Sequence, residues 1–271
     1  MPALKMRDGG VLSYDEYGAG PVIVLIHGSP GTSKAWPRVA DRLASRFRVI
    51  APSLPGYGES TPSPAGGPAD NSRAAEAIEA LIGEVGPVRA LIGHSYGGVV
   101  ALRVALRGQV PLSALALFEP VAVPILDVVG DTKAFADAKV VFDDYGAHSD
   151  AGDPDAARMM VEYWFGAGAF EQMPGPMRGY LVENTARNVR DVRATFRDSY
   201  TREGLRRLSM PILIVHGERS PEVMRKICEA LLSTVADGTL SKVDKANHAL
   251  ITTHADAVAD LIATLASHRA P

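Results

Sequence analysis

The stretch that decides the fold is RALIGHSYGGVVAL, residues 89–102. Arg89 to Ile92 form a short apolar run, Gly93-His94-Ser95-Tyr96-Gly97-Gly98 a glycine-rich turn, and Val99 to Leu102 open a helical pattern. This is Gly-x-Ser-x-Gly between a strand and a helix, the setting that gives the motif its meaning. So tight a turn strains the serine backbone and leaves room only for small neighbours, hence Gly93, Gly97 and Gly98. The Ser95 hydroxyl is thereby expected above a sheet edge, at the amino end of a helix whose dipole favours developing negative charge. The plainer alternative is a βα turn in which Ser95 only caps the helix.

Outward from this unit, short β-branched runs alternate with helical patterns. Strands are expected at 11–17, 22–26, 48–51, 89–92, 114–118, 212–215 and 239–243. Helices are expected near 33–45, 70–85, 96–107, 221–235 and 255–267. Continuous apolar strands separated by helices imply an α/β fold with a parallel sheet covered on both faces, and the alternating run 11–17 an antiparallel edge strand. Between Val121 and Leu208 the rhythm stops and helical periodicity replaces it. Met159, Met160, Tyr163 and Trp164 share one face, as do Val189, Val192, Phe196 and Tyr200. We therefore expect a core of residues 1–120 and 209–271 with a helical lid at 121–208. An insertion there lies over the carboxyl ends of the strands, where such sheets bind ligands, so some of its aromatic side chains should line a pocket.

Composition narrows the function. Net charge is -3, which offers no basic field for phosphates and argues against a nucleic acid or an anionic membrane surface as partner. Cys228 is the single cysteine, which excludes an intramolecular disulfide and a cysteine metal cluster and points to a reducing compartment, the cytoplasm. The first residues carry charges every few positions and no signal-peptide core, so the chain is expected to start in place. The apolar stretch 112–129 is broken by Glu119, Asp127 and prolines, so no membrane span is expected.

On these motifs the chain resembles the α/β-hydrolase superfamily over nearly its whole length outside the lid. The resemblance implies an eight-stranded, mostly parallel sheet with the lid inserted after the sixth strand. His27-Gly28-Ser29-Pro30-Gly31 looks like the family's oxyanion loop, which implies the backbone N–H groups of Ser29 and Tyr96 as oxyanion donors and a bracing role for His27. Leu54-Pro55-Gly56-Tyr57-Gly58-Glu59-Ser60 is similar to the turn after the next strand, with Ser53 where an aspartate is frequent. The family order of serine, acid, histidine selects the base among seven histidines. His248, between the last strand and the last helix, has the family's position. His216 abuts a buried strand, His148 lies in the lid, and His254 and His268 fall on or near the terminal helix.

The acid departs from the pattern. In HGERSP, residues 216–221, Ser220 stands where the family has an aspartate. Glu119, in Phe118-Glu119-Pro120 at the end of the strand after the nucleophile helix, is the expected acid. Some haloalkane dehalogenases and lactonases of the superfamily place theirs after that strand. Glu218 and Asp244 remain alternatives.

The implied activity is serine hydrolysis of a small, mostly apolar carboxylic ester or lactone through an acyl-enzyme, with Ser95, His248 and Glu119 as triad. Neither cofactor nor metal is required, and the partner is a small-molecule substrate. A serine at the elbow counts against epoxide hydrolysis and dehalogenation, which use a carboxylate there in this family. Carbon–carbon bond hydrolysis of a diketone and a non-catalytic ligand receptor are the alternatives.

Overall fold

A computed structural model describes residues 2–62 and 71–267. His268 and the expected helical start at residue 70 lie outside the described residues. Among those described, eight strands form one sheet in the order β1-β2-β4-β3-β5-β6-β7-β8. They are β1 Ala3–Lys5, β2 Val11–Tyr17, β3 Val22–Ile26, β4 Arg48–Pro52, β5 Val88–His94, β6 Leu115–Phe118, β7 Ile212–Gly217 and β8 Gly238–Val243. β1 and β2 pair antiparallel, as do β2 and β4, while β3 to β8 run parallel.

The central strands read as unbroken apolar runs because both of their faces are covered. In β3, Val22, Val24 and Ile26 face one apolar layer and Ile23 and Leu25 the other, following the two-residue period of a strand. The first layer is completed by α2 (Ser72–Val85), α3 (Tyr96–Arg107) and α11 (Glu222–Thr234), the second by α1 (Pro37–Leu43) and α13 (Ala255–Ser267). Each fully buried Val, Leu or Ile contributes about 1.5–3 kcal/mol relative to exposure. α3 ends at Gly108, whose φ of 60° satisfies the left-handed cap. The helix expected near 33–45 is shorter: a turn of 3₁₀ helix at Ser33–Ala35 precedes α1, which starts on Pro37, where no N–H is needed.

Between β6 and β7 stand α4 (Ile125–Val129), α5 (Thr132–Asp150), α6 (Ala156–Phe165), α7 (Ala169–Gln172), α8 (Gly175–Glu183), α9 (Thr185–Arg197) and α10 (Arg202–Arg206). After β8 come a loop, the short α12 (Leu250–Thr253) and α13. No helix among the described residues is long and apolar enough to cross a membrane.

Candidate active site

Ser95 sits between β5 and α3 with φ 54° and ψ −122°, a backbone well that costs a non-glycine residue about 1–3 kcal/mol. Its surroundings hold it there. A Cβ on Gly93 would lie 2.1 Å from the Gly97 carbonyl oxygen, and one on Gly97 would lie 2.4 Å from the oxygens of Ile26 and His27. The elbow is therefore pressed directly against the end of β3 and the loop that follows it. The Ser95 N–H donates to the Phe118 carbonyl at 3.0 Å, which fixes the elbow to the end of β6.

Glu119 is the next residue after β6. Its φ is 47°, its side chain is fully buried, and its N–H donates to the Val215 carbonyl of β7 at 2.8 Å. Three donors meet the carboxylate. The Gly217 N–H reaches Oε1 at 2.5 Å, the Ser220 hydroxyl donates to the same oxygen, and His248 Nδ1–H donates to Oε2 at 2.6 Å. Burial pushes the carboxyl up, and the hydrogen bonds and charge of His248, with those of Ser220 and Gly217, more than reverse this, leaving it below the ordinary value. Because an ionised carboxylate only accepts, Nδ1 of His248 carries the proton and Nε2 is left to accept from the Ser95 hydroxyl, 3.0 Å away.

His248 is fixed from two further sides. His94 Nε2–H donates to its backbone carbonyl at 2.9 Å, and the Trp164 indole of α6 stacks on the imidazole at 4.3 Å between centroids with planes 17° apart. Burial and the neighbouring His248 push His94 down to about 3, so it stays a neutral brace.

The loop of residues 27–31 packs on Ser95, since a Cβ on Gly28 would fall 2.9 Å from that of Ser95. Ser29 follows Gly28, and Tyr96 follows Ser95 as the first residue of α3. Both line the cavity described below. His27 Nδ1–H donates to the Gly28 carbonyl at 2.7 Å, and Nε2 accepts from the Leu54 N–H at 2.9 Å. Burial lowers its pKa to about 4, so it braces two loops as a neutral ring whose two nitrogens are both taken by backbone groups. Ser53, at the position where an aspartate is frequent in the family, accepts from the Ser33 N–H at 3.1 Å and so holds the same loop system.

Over Ser95 lies a cavity of about 390 Å³. Apolar side chains of the inserted helices, among them Phe142, Met160, Trp164, Phe165 and Phe196, form most of its wall. Tyr145 also lines it, whereas Phe135, Tyr163, Phe170, Tyr180 and Tyr200 do not. Its polar side chains away from Ser95 and His248 include Ser29, Asn188, Asp191, Thr195 and Thr252.

The sequence-derived candidates separate cleanly. Ser95, His248 and Glu119 form one hydrogen-bonded line. Glu218 instead pairs with Lys242 at 3.2 Å and accepts from the Lys245 N–H at 2.7 Å, on the surface. Asp244 is 77% exposed and also pairs with Lys242. His216 Nδ1–H donates locally to the Gly217 carbonyl, His148 pairs with Asp153, and His254 meets Thr253. Sequence reasoning missed Gly217 and Ser220 as donors to the acid, and Trp164 and His94 as supports of the histidine. The signal for Ser220 was its place in the family's acid turn, since β7 neighbours β6 in the sheet. Among the described residues no group of three or more His, Cys, Asp or Glu could hold a metal ion.

Comparison with known proteins gives a consistent picture. A model of the alpha/beta hydrolase family matches residues 23–261. An epoxide hydrolase from Caballeronia sordidicola is 35% identical over 116 residues, 36% of this chain and 34% of that protein. A pimeloyl-[acyl-carrier protein] methyl ester esterase from Aeromonas hydrophila is 37% identical over 97 residues, 35% of this chain and 36% of that one. The matches thus span only about a third of these relatives' length. The solved structure of an esterase from Exiguobacterium antarcticum superposes with a TM-score of 0.76 at 21% identity, covering 98% of this chain and 99% of that one, a likeness of fold.

Proposed function

The chain belongs to the alpha/beta hydrolase family, and on that footing we propose that it is a serine hydrolase cleaving a small, mostly apolar carboxylic ester or lactone. The observation that carries this reading is the line Ser95–His248–Glu119 on the floor of an apolar cavity. Ser95 Oγ attacks the carbonyl carbon while its proton passes to His248 Nε2. The charge on the carbonyl oxygen is met by the N–H groups of Ser29 and Tyr96. His248, an imidazolium stabilised by Glu119, then delivers the proton to the leaving alkoxide, and the alcohol departs from an acyl-Ser95 ester. Water, deprotonated by His248, attacks that ester and releases the acid.

An epoxide-opening reaction through a carboxylate nucleophile finds no carboxylate at position 95. The esterase relative supports acyl chemistry. Residues 121–208 serve as the lid that supplies the apolar wall, so they set which acyl and alcohol groups fit. The single, buried Cys228 supports action in the reducing cytoplasm.

A fluorophosphonate probe tests the reading. It labels the folded wild type and not Ser95→Ala; a folded wild type that stays unlabelled contradicts the proposal.

A further inference from the structure

One part of the cavity wall is built differently from the rest. Asn188 and Asp191 stand three residues apart on α9, on one helix face, and both line the cavity next to the oxyanion loop. A chain of hydrogen bonds joins them. Tyr145 OH donates to Asn188 Oδ1 at 2.9 Å, and Asn188 Nδ2 donates to Ser29 Oγ at 2.9 Å. Ser29 Oγ lies 2.7 Å from the Tyr57 hydroxyl, which donates to Asp191 Oδ2 at 2.6 Å.

Proton counting fixes the direction of this chain. Tyr57 has one proton and gives it to the carboxylate, so the Ser29 hydroxyl must donate to Tyr57 and accept from Asn188. Every donor points toward Asp191. The hydroxyl protons of Tyr145, Ser29 and Tyr57 are thus taken and Asn188 keeps one further N–H, whereas a carboxylate offers about four acceptor positions, at most two of which the Tyr57 and Ser29 hydroxyls can fill. Asp191 is deeply enclosed by protein yet keeps accessible surface, as a side chain facing an internal cavity does. Burial raises its pKa to about 6, against the hydroxyls of Ser29 and Tyr57 and the nearby charges of Arg187 and Arg190.

We propose that Asp191 is the polar end of the substrate cavity and selects esters whose apolar portion carries a hydroxyl group, which donates to its carboxylate. This rests on the serine hydrolase reading of Ser95. A purely apolar group laid over Asp191 would bury its acceptor sites without donors, so the wild type discriminates against the plain ester. An ammonium is a poorer fit than a hydroxyl. Arg187 and Arg190 already supply positive charge to Asp191, and stripping an ammonium of water in an apolar cavity is far more costly.

The test compares methyl hexanoate with its 6-hydroxy, 6-methoxy and 6-ammonio counterparts, and methyl 3-phenylpropanoate with its 4-hydroxyphenyl and 4-methoxyphenyl counterparts. kcat/KM is measured for the wild type and Asp191→Asn, and the matching N-methyl amides are titrated by calorimetry into Ser95→Ala. In at least one series the hydroxyl is expected to raise kcat/KM and amide affinity about tenfold, as a hydrogen bond to a charged acceptor does. The methoxy counterpart, which cannot donate, gains nothing. Asp191→Asn brings hydroxylated and plain esters within about threefold of each other, a ratio read within the variant. Equal values within both series, a methoxy group as effective as the hydroxyl, a preference that survives in folded Asp191→Asn, or an ammonium favoured over the hydroxyl overturns the proposal. The methoxy comparison needs no variant of Asp191 and decides the matter even if Asp191→Asn fails to fold. A wild type that neither hydrolyses any ester nor reacts with a fluorophosphonate contradicts the reading of Ser95, while the amide titrations still decide the subsite.

Discussion

Burying a carboxylate is costly unless donors replace its water, and Glu119 has three: His248, Gly217 and Ser220. Two of them come from the end of β7 and the turn after it, so the turn with Ser220 in place of the family's aspartate still helps to hold Glu119. Ser220 thus acts as a positioning residue for Glu119. Ser220→Ala removes one donor worth about 1 kcal/mol, and kcat on an activated ester is expected to fall about fivefold. Glu218→Gln, which breaks only a surface pair with Lys242, should stay within about twofold of wild type, as exposed pairs contribute little. On the other side of the ring, Trp164 stacks on His248. A cation over an aromatic face gains about 0.5–2 kcal/mol, and the imidazolium exists only once the proton has moved. Trp164→Leu should therefore lower kcat about tenfold, with Trp164→Phe recovering most of it. Loss in KM alone would assign Trp164 to the cavity wall only.

At the scale of elements, the site depends on the meeting of the β3 loop with the β5–α3 elbow. Gly97 lies against the carbonyls of Ile26 and His27, and neither can move without disturbing β3. Gly97→Ala should cost about 1–3 kcal/mol by overpacking and slow phosphonate labelling more than tenfold. Tm and labelling rate check both. A variant of unchanged Tm and labelling rate would mean that the elbow yields freely. α3 and α13 were legible to the residue, because a glycine turn precedes the first, the polar run Thr252-Thr253-His254 precedes the second, and a steady apolar stripe follows each. β1 was not read from the residues. It has three residues, none fully buried, and pairs only at the sheet edge, so its burial pattern carries no period. The inserted helices were legible as helical but not in number, since short helices such as α7 and α10 offer too few turns for a stripe.

For the whole molecule, buried ionisable groups set the response to acid. Burial holds His27 at about 4 and His94 at about 3, below the ordinary 6.5. Their stabilising contribution is therefore complete above pH 6.5 and is lost as pH falls toward those values, because the unfolded chain takes up the protons first. At pH 5 each loss is about 2 kcal/mol. Asp191 works the other way. Its raised value near 6 lets the folded chain bind a proton first, returning about 1 kcal/mol at pH 5. The unfolding free energy from urea titration should drop by about 3 kcal/mol between pH 7.5 and 5, and His27→Gln should reduce that drop by about 2 kcal/mol. A flat profile would contradict the neutral, buried state of both rings.

The candidate site was legible where chain order and local turn chemistry specify it, as for Ser95 and His248. The surroundings of Glu119 and the chain from Tyr145 to Asp191 were not, because their members are far apart in sequence and meet only through sheet neighbours and helix packing. The relocated acid is the central claim, and kcat of Glu119→Gln on an activated ester tests it most directly. Without the carboxylate, His248 loses the partner that sets its tautomer and stabilises the imidazolium, and kcat should fall by about 10⁴. A Glu119→Gln protein that folds and turns over within a few-fold of wild type would contradict the account.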